Sequence, residues 1–454
     1  LTQPAVRAWQ AWHELLDADE AMALESASQL DSALRRDDLL FGERALCTVL
    51  RPRFFTPESY RTLCDRMALV MRGFRAAYAH ALAEPAVLDQ FRLAEWERTL
   101  IAEDRSGILP SPTTRMDAFL TADGGMSITE YNAETPAAPA FNDALARSFA
   151  NLPVMRQFSR DWWCRSIESR HGVLRVLLDS WERWSGGRTL PRIAILDWPD
   201  VPTKREFELF RDYFVSQGLE CVIGDPRACE YTKGVLWLDG VPVDLVYKRV
   251  LIHELVEREG LESPLMRAVR DNAVCFVNGF RSKILHKKAS LAVLSDHANA
   301  HWFDPDVRAA VRAFIPWTRV VEERTTTSPD GTAVDLLRYI EDNRDQLVLK
   351  PNDDYGGHGI VLGWTVGVDE WSASVRKALA EPYIVQQRVM IPRESFPSVE
   401  NGTLGYLDRQ VDTAPFICDS TYVEGVLSRL STAELLNVTA GGGSQTPTFL
   451  VEPR

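Results

Sequence analysis

The sequence predicts an α/β protein in which helical and strand-rich parts are segregated (α+β in overall layout), and three observations predict it. Residues 1–105 carry apolar residues at helical spacing. Residues 190–280 switch to compact apolar runs flanking an amphipathic helix. Residues 281–454 alternate short strands with short helices. At 454 residues the chain has room for two or three domains, each with its own core.

In the first part, apolar and small residues recur every three or four positions through AVRAWQAWHELL and LCDRMALVMRGFRAAYAHAL. Thr56 before Pro57 and Glu58 reads as a helix N-cap. This part shows no catalytic constellation and reads as a helical cover or oligomer contact. Residues 158–185 read as one helix whose Trp162, Trp163, Trp181 and Trp184 anchor a core.

The segment 114–136 is different in kind. Arg115 and Asp117 sit two apart, a turn follows at Asp123–Gly125, and Glu130 and Asn132 come next. Side chains two apart on a strand share a face, so a hairpin would put Asp117, Glu130 and Asn132 on one wall with Arg115 beside them. Two carboxylates and an amide carbonyl are hard oxygen donors suited to Mg²⁺. The Arg115 fork suits a phosphate or carboxylate.

RIAILDW (192–198) and LECVIGD (219–225) read as buried parallel strands joined by the helix KREFELFRDYFVSQG, a βαβ unit. A hairpin turning at Asp239–Gly240 and a strand at 273–280 complete the unit. No GxGxxG follows the first strand, which argues against a dinucleotide dehydrogenase.

Residues 282–296 read as a helix with Lys287 and Lys288 near its start. TTTSPDG (325–331) reads as a surface loop. In 347–364 a strand delivers Lys350, Pro351 breaks its pairing, and Gly356, Gly357 and Gly359 form a loop before a strand IVLGW. Such glycines let backbone N–H groups approach an anion, and Lys350 adds a point charge. On the strand 382–392, Gln386 and Gln387 point to opposite faces, either onto an adenine or outward from an edge strand. Arg429 lies on a strand, with Asn437 on the next and a triple glycine at 441–443.

The formal net charge of −13 argues against a general nucleic-acid binder. No apolar run is long enough to cross a bilayer, and the first residues lack the pattern of a secretory leader. Seven scattered cysteines without a CxxC pair point to reduced thiols in a cytoplasmic protein, and no HxxxH or HExxH pattern suggests zinc.

Taken together, RMD…EYNAETP at 115–136, YKRVLIHEL, Asn278, KKASLAVL, LVLKP, GVLSRLS and NVTAGGG resemble the ATP-grasp ligases of circularly permuted type, the group that includes glutathionylspermidine synthetase-like proteins. In ordinary members the phosphate-binding lysines come first and the RxD…ExN metal segment closes the domain; here the same parts stand in rotated order. The resemblance implies a helical region at 1–105, a metal-binding part at 106–160, a Rossmann-like substrate domain at 161–280 and an ATP-binding part at 281–454. It implies that Asp117, Glu130 and Asn132 hold Mg²⁺ on the ATP phosphates and that Arg115 contacts the reacting phosphoryl group. Lys288, Lys350 and the Gly356–Gly359 loop would bind phosphates, with Gln386 or Gln387 at the adenine. Arg429 would reach the reaction centre and Arg249 would face the substrate. The implied activity joins a small-molecule or peptide carboxylate to an amine through an acyl phosphate. A non-catalytic nucleotide-binding scaffold or a phosphotransferase on the same fold are the alternatives. LGYLDRQVDTAPF, with Arg409 a loose match, and the loop around His358 depart from the family, which leaves the substrates open among glutathione, polyamines, amino acids and short peptides. Oligomeric state is open as well.

Overall fold

Residues 113–120 and 126–132 do form a hairpin, but its partners lie some three hundred residues away. The computed structural model describes residues 3–121, 124–354, 356–433 and 443–454. In its largest sheet the strands run in the order Arg393–Glu400, Thr403–Val411, Tyr422–Ser431, Ala414–Cys418, Thr113–Leu120, Met126–Asn132. Ser444–Thr446 also pairs with Tyr422–Ser431. The hairpin register opposes Arg115 to Asn132 and Asp117 to Glu130, with an irregularity just after Asp117. Alternation then sends Met116, Ala118, Ile128 and Tyr131 into the core on the opposite face.

The predicted βαβ unit lies in a wholly parallel sheet ordered Cys275–Val277, Leu245–Lys248, Ile193–Leu196, Cys221–Gly224. The hairpin at Asp239–Gly240 forms as expected, with positive φ at both turn residues. A third, antiparallel sheet runs Thr318–Val320, Tyr383–Gln387, Leu347–Pro351, Val361–Leu362. The glutamine strand is therefore internal, not an edge. The lysine strand continues through Pro351, which stands opposite Tyr383, and only Val361–Leu362 of IVLGW is extended before the turn Gly363–Thr365.

Other readings need correction, the first two because a distant partner decides the local conformation and the third because a tight local hairpin forms. Trp162–Ser166 is a strand, not helix, because it pairs with Thr448–Pro453; the helix is Ser169–Ser185. Trp162 is buried, while Trp163 is 61% exposed and anchors no core. The helix expected over 282–296 splits into Ser282–His286 and Ala289–Ser295. At the break Asn352 accepts the Lys288 N–H with its carbonyl (2.9 Å) and the Ala289 N–H with Oδ1 (2.8 Å). Thr325–Thr327 is a strand paired with Ala333–Asp335 rather than loop.

Residues before 106 do more than cover. Thr56 caps Pro57–Ala83 through a reciprocal box with Ser59, and Arg53–Phe55 adds a strand beside Thr448–Pro453. Trp12 is fully buried against Phe54 and Phe158 and donates to the Leu50 carbonyl (2.9 Å). All seven cysteines are free thiols. No described helix is long and apolar enough to cross a membrane.

Candidate functional site

A cavity of about 460 Å³ opens where the hairpin face, the lysine and glutamine strands and the carboxyl edge of the parallel sheet converge. Arg115, Asp117, Glu130 and Asn132 line it from the hairpin; Lys350, Gly356, Gly357, Gln386 and Gln387 line it from the other side, and Arg249 and Arg429 complete the wall.

On the hairpin side the charges alternate. Asp117, 5% exposed, accepts from Arg115 (Nε–Oδ1 2.8 Å, Nη2–Oδ2 3.2 Å) and from Arg429 Nη2 (2.7 Å). Arg429 in turn donates Nε and its backbone N–H to Asp412 (2.6 and 2.8 Å). Burial pushes the Asp117 carboxyl up, but Arg115 and Arg429 outweigh it and hold it well below the usual range. Burial wins at Asp412, whose value is raised. Arg429, buried between two carboxylates that override its desolvation, is held firmly protonated.

From the opposite wall, Lys288 Nζ reaches Glu130 Oε1 at 3.0 Å and the Asp354 carbonyl at 2.5 Å. Lys350 donates to Gln386 Oε1 (2.7 Å) and to the Thr129 carbonyl (3.1 Å). Burial pulls Lys350 down to about 8 against the attraction of Glu130. At Glu130 the charges of Lys288 and Lys350 overcome burial and lower the carboxyl.

Some predicted residues take other places. Gly356 and Gly357 adopt positive φ, +66° and +80°, and they line the cavity. Gly359 does not: at φ +67° a Cβ there would stand 2.7 Å from Pro351 Cγ, so this glycine serves the return of the loop. Gln386 is 1% exposed and committed, its Oε1 to Lys350 and its Nε2 to Thr318 Oγ1 (3.0 Å); Gln387 is exposed. Arg249 is 5% exposed, donates Nη1 to the Pro136 carbonyl (2.5 Å) and faces Glu206 at 3.6 Å. Asn437, part of the triple glycine and Asp123 of the turn lie outside the described residues.

Asp412, Asp197 and His286 also line the cavity and were not singled out from the sequence. Asp197 follows the first parallel strand directly, a position that itself flags a binding residue. Asp412 lies in the short turn between two strands, where nothing local marks it.

Behind this cavity lies a second ionic group. Lys283 meets Asp353 (2.7 Å) and Glu134 (3.3 Å), Lys287 meets Glu97 and Asp353 (2.7 Å each), and Lys248 meets Glu134 (3.4 Å). His286 stands 3.9 Å from Glu134 and 3.8 Å from Asp353, its value pulled by burial to about 4. The Glu134–His286–Asp353 atoms are close enough for a metal, but the lysines already neutralise the acids. Asn278, at φ +58°, pins the group to the hairpin by donating to the carbonyls of Thr113 (2.7 Å) and Glu134 (3.0 Å).

No protein-family model matches the chain. A stretch of 159 residues is 30% identical to an uncharacterized protein of Mycobacterium tuberculosis (strain H37Rv), covering 32% of this chain and 28% of that protein; a Mycobacterium bovis protein matches equally. The matched stretch thus spans little more than a quarter of these relatives. Among solved structures, a glutathione synthetase-like effector from Globodera pallida in its apo form superposes with a TM-score of 0.59 at 15% identity, over 95% of this chain and 98% of the other. The two share a fold. A putative γ-glutamylcysteine synthetase from Methylobacillus flagellatus superposes with a TM-score of only 0.43, at 11% identity over 84% of this chain and 88% of that one.

Proposed function

We propose that this chain is a Mg·ATP-dependent carboxylate–amine ligase on a circularly permuted ATP-grasp fold. The observation that carries the reading is the meeting of Glu130 with Lys288 at 3.0 Å, which brings the acid hairpin against the lysine wall beside the cavity that Glu130 and Lys350 line; Lys288 itself lies just behind that lining. The fold shared with a glutathione synthetase-like effector supports it.

The donor set fits a magnesium ion. Asp117 and Glu130 offer hard carboxylate oxygens, which Arg115, Arg429 and Lys288 hold in this structure and from which a bound triphosphate would draw those cations away, and the buried Asn132 Nδ2 has no hydrogen-bond partner among the described residues. Reversing that amide would put its oxygen at that unpartnered position, a third hard donor on the hairpin face. Magnesium supplies charge neutralisation of the triphosphate. The residues do the rest: Lys288 leaves Glu130 for the phosphates, Lys350 and the amides of Gly356 and Gly357 hold the transferred group, and the glutamine strand flanks the base, with Gln387 the glutamine whose carboxamide is exposed. Arg115 and Arg429 face the reacting centre and Arg249 the substrate. A carboxylate oxygen attacks the γ-phosphorus and ADP departs, leaving an acyl phosphate. An amine nitrogen then attacks the carbonyl carbon and phosphate departs. Alignment and fixed charge suffice for both steps. In this reading residues 106–160 and 281–454 form the nucleotide site, 161–280 receive substrate and 1–105 support both. The free thiols fit a reducing cytoplasm.

The test incubates the protein with Mg·ATP, pooled carboxylic acids and hydroxylamine, which traps an acyl phosphate as a hydroxamate. Wild type should release ADP and hydroxamate together, and Asp117→Asn and Glu130→Gln should lose both. Equal turnover in the variants would remove the proposal; ADP release without hydroxamate would mark a phosphotransferase.

A further inference from the structure

The parallel sheet has its topological switch between Ile193–Leu196 and Leu245–Lys248. From the first strand the chain moves outward to Cys221–Gly224; from the second it moves outward the other way, to Cys275–Val277. The crevice at the carboxyl ends of two such strands is where open α/β sheets bind ligands. Here the residues that follow those ends are Asp197 and Arg249, and both line the cavity of the proposed nucleotide site.

Charge divides this cavity into two ends. Around the hairpin, Arg115, Arg429, Lys288 and Lys350 face Asp117, Glu130 and Asp412, an excess of bases. At the switch point the order is reversed. Asp197 and Glu254 line the wall, and Arg249 is already opposite Glu206. Among the described residues, Asp197 makes one side-chain hydrogen bond, from the Trp198 N–H to Oδ1 at 2.8 Å, and no ion pair. Glu254 is held by the Trp198 indole (2.8 Å). Arg249, nine-tenths buried at the same wall, leaves its Nε without a partner among the described residues. The groups facing Asp197 are Arg249 and Lys248 from the neighbouring strand and Glu254 from the helix Ile252–Glu259. Apolar walls from Phe41, Phe141, Val201 and Leu251 leave room for a carbon skeleton.

We infer that the switch-point crevice is the acceptor site for a primary amine, with Asp197 taking the ammonium group and then its proton, and Glu254 adding a second negative charge. The inference rests on the ligase reading and names the amine half of it. In the transfer step the amine nitrogen forms a bond to the acyl carbon, the carbon–oxygen bond to phosphate breaks, and phosphate leaves with that electron pair. The ammonium group first loses one proton to solvent, which frees the lone pair for attack; the attacking nitrogen then becomes acidic as the bond forms, and its second proton passes to Asp197. Burial, reinforced by Glu254, raises the Asp197 carboxyl to about 6, close enough to neutrality to accept a proton in the transition state.

Hydroxylamine separates this step from the first. It is neutral at pH 7 and needs no carboxylate to deprotonate it. The acid identified by hydroxamate formation is supplied with Mg·ATP and either hydroxylamine or a mixture of glycine, ethanolamine and putrescine, with amides read by mass. Asp197→Asn should keep hydroxamate formation within about twofold while amide formation falls ~100-fold or more. Glu254→Gln should raise the amine KM. In wild type, amide formation should fall as the pH drops through about 6. Unchanged amide formation in Asp197→Asn or parallel loss of both products would overturn the acceptor site, as would hydroxamate without amide from any of these amines. No hydroxamate from wild type with any acid would instead overturn the ligase reading, and this inference with it.

Discussion

Two ionic groups lie a few residues apart along the same segment and have opposite designs. Asp117 and Glu130 open on a cavity, and the bases around them exceed the acids. Glu134 is sealed at 0% exposure, where Glu97, Glu134 and Asp353 are matched by Lys248, Lys283 and Lys287. The open group has positive charge left for an anion. The sealed group has none, and its work is to hold the loop before Gly356 against the end of the hairpin. Proximity of acid and base thus says little about role; access and charge balance say more.

The sharpest way to break this contrast is to cut the sealed group. Lys283→Met leaves Asp353, Glu134 and Glu97 short of a counter-charge in a buried setting, and should cost about 3–5 kcal/mol of stability in urea denaturation. Glu130→Gln should do the reverse. Turnover should fall ~100–1,000-fold, equivalent to about 3–4 kcal/mol of transition-state stabilisation, with a loss of stability smaller than that of Lys283→Met because Glu130 opens on the cavity while Lys288 keeps its bond to the Asp354 carbonyl. If both variants lost stability alike, the two groups would be one.

Asp197 sharpens the comparison from another side, because a carboxylate kept for chemistry should be a burden on the fold. It ionises near 3.8 when exposed and near 6 in the folded chain. Between those values the folded state binds more protons, so stability falls as pH rises through that window and the cost is fully present at pH 7. Asp197→Asn should therefore stabilise the protein at pH 7 by about 1–2 kcal/mol, allowing for its partial exposure, and should not do so below pH 3.8. Thermal unfolding at both pH values measures this. An effect of similar size, with least consequence for the site, belongs to Gly359→Ala, whose positive φ and close approach to Pro351 should cost about 1–2 kcal/mol. Denaturation reads that loss, and nucleotide affinity should change only as far as the loop shifts.

The alternation from Arg115 to Asp117 and from Glu130 to Asn132 was legible because a turn and a period of two act locally. So was Lys350 at the end of its strand. The clasp of Arg429 on Asp117 was not, since it spans the largest sheet and depends on the strand order. The break at Lys287 was hidden by an apolar stripe that runs on unbroken; only Asn352, from another sheet, reveals it. The same holds for Trp162–Ser166, a strand by virtue of a partner almost three hundred residues on. Local periodicity carries half a site, and the other half is written in which strands become neighbours.

Strand Thr448–Pro453 sits between Arg53–Phe55 and Trp162–Ser166. During synthesis both flanking segments emerge from the ribosome long before it, and until it arrives their backbone amides and carbonyls have water in place of their ladder partner. Until that strand is made the nascent protein carries open strand edges, a period in which a holding chaperone has something to protect.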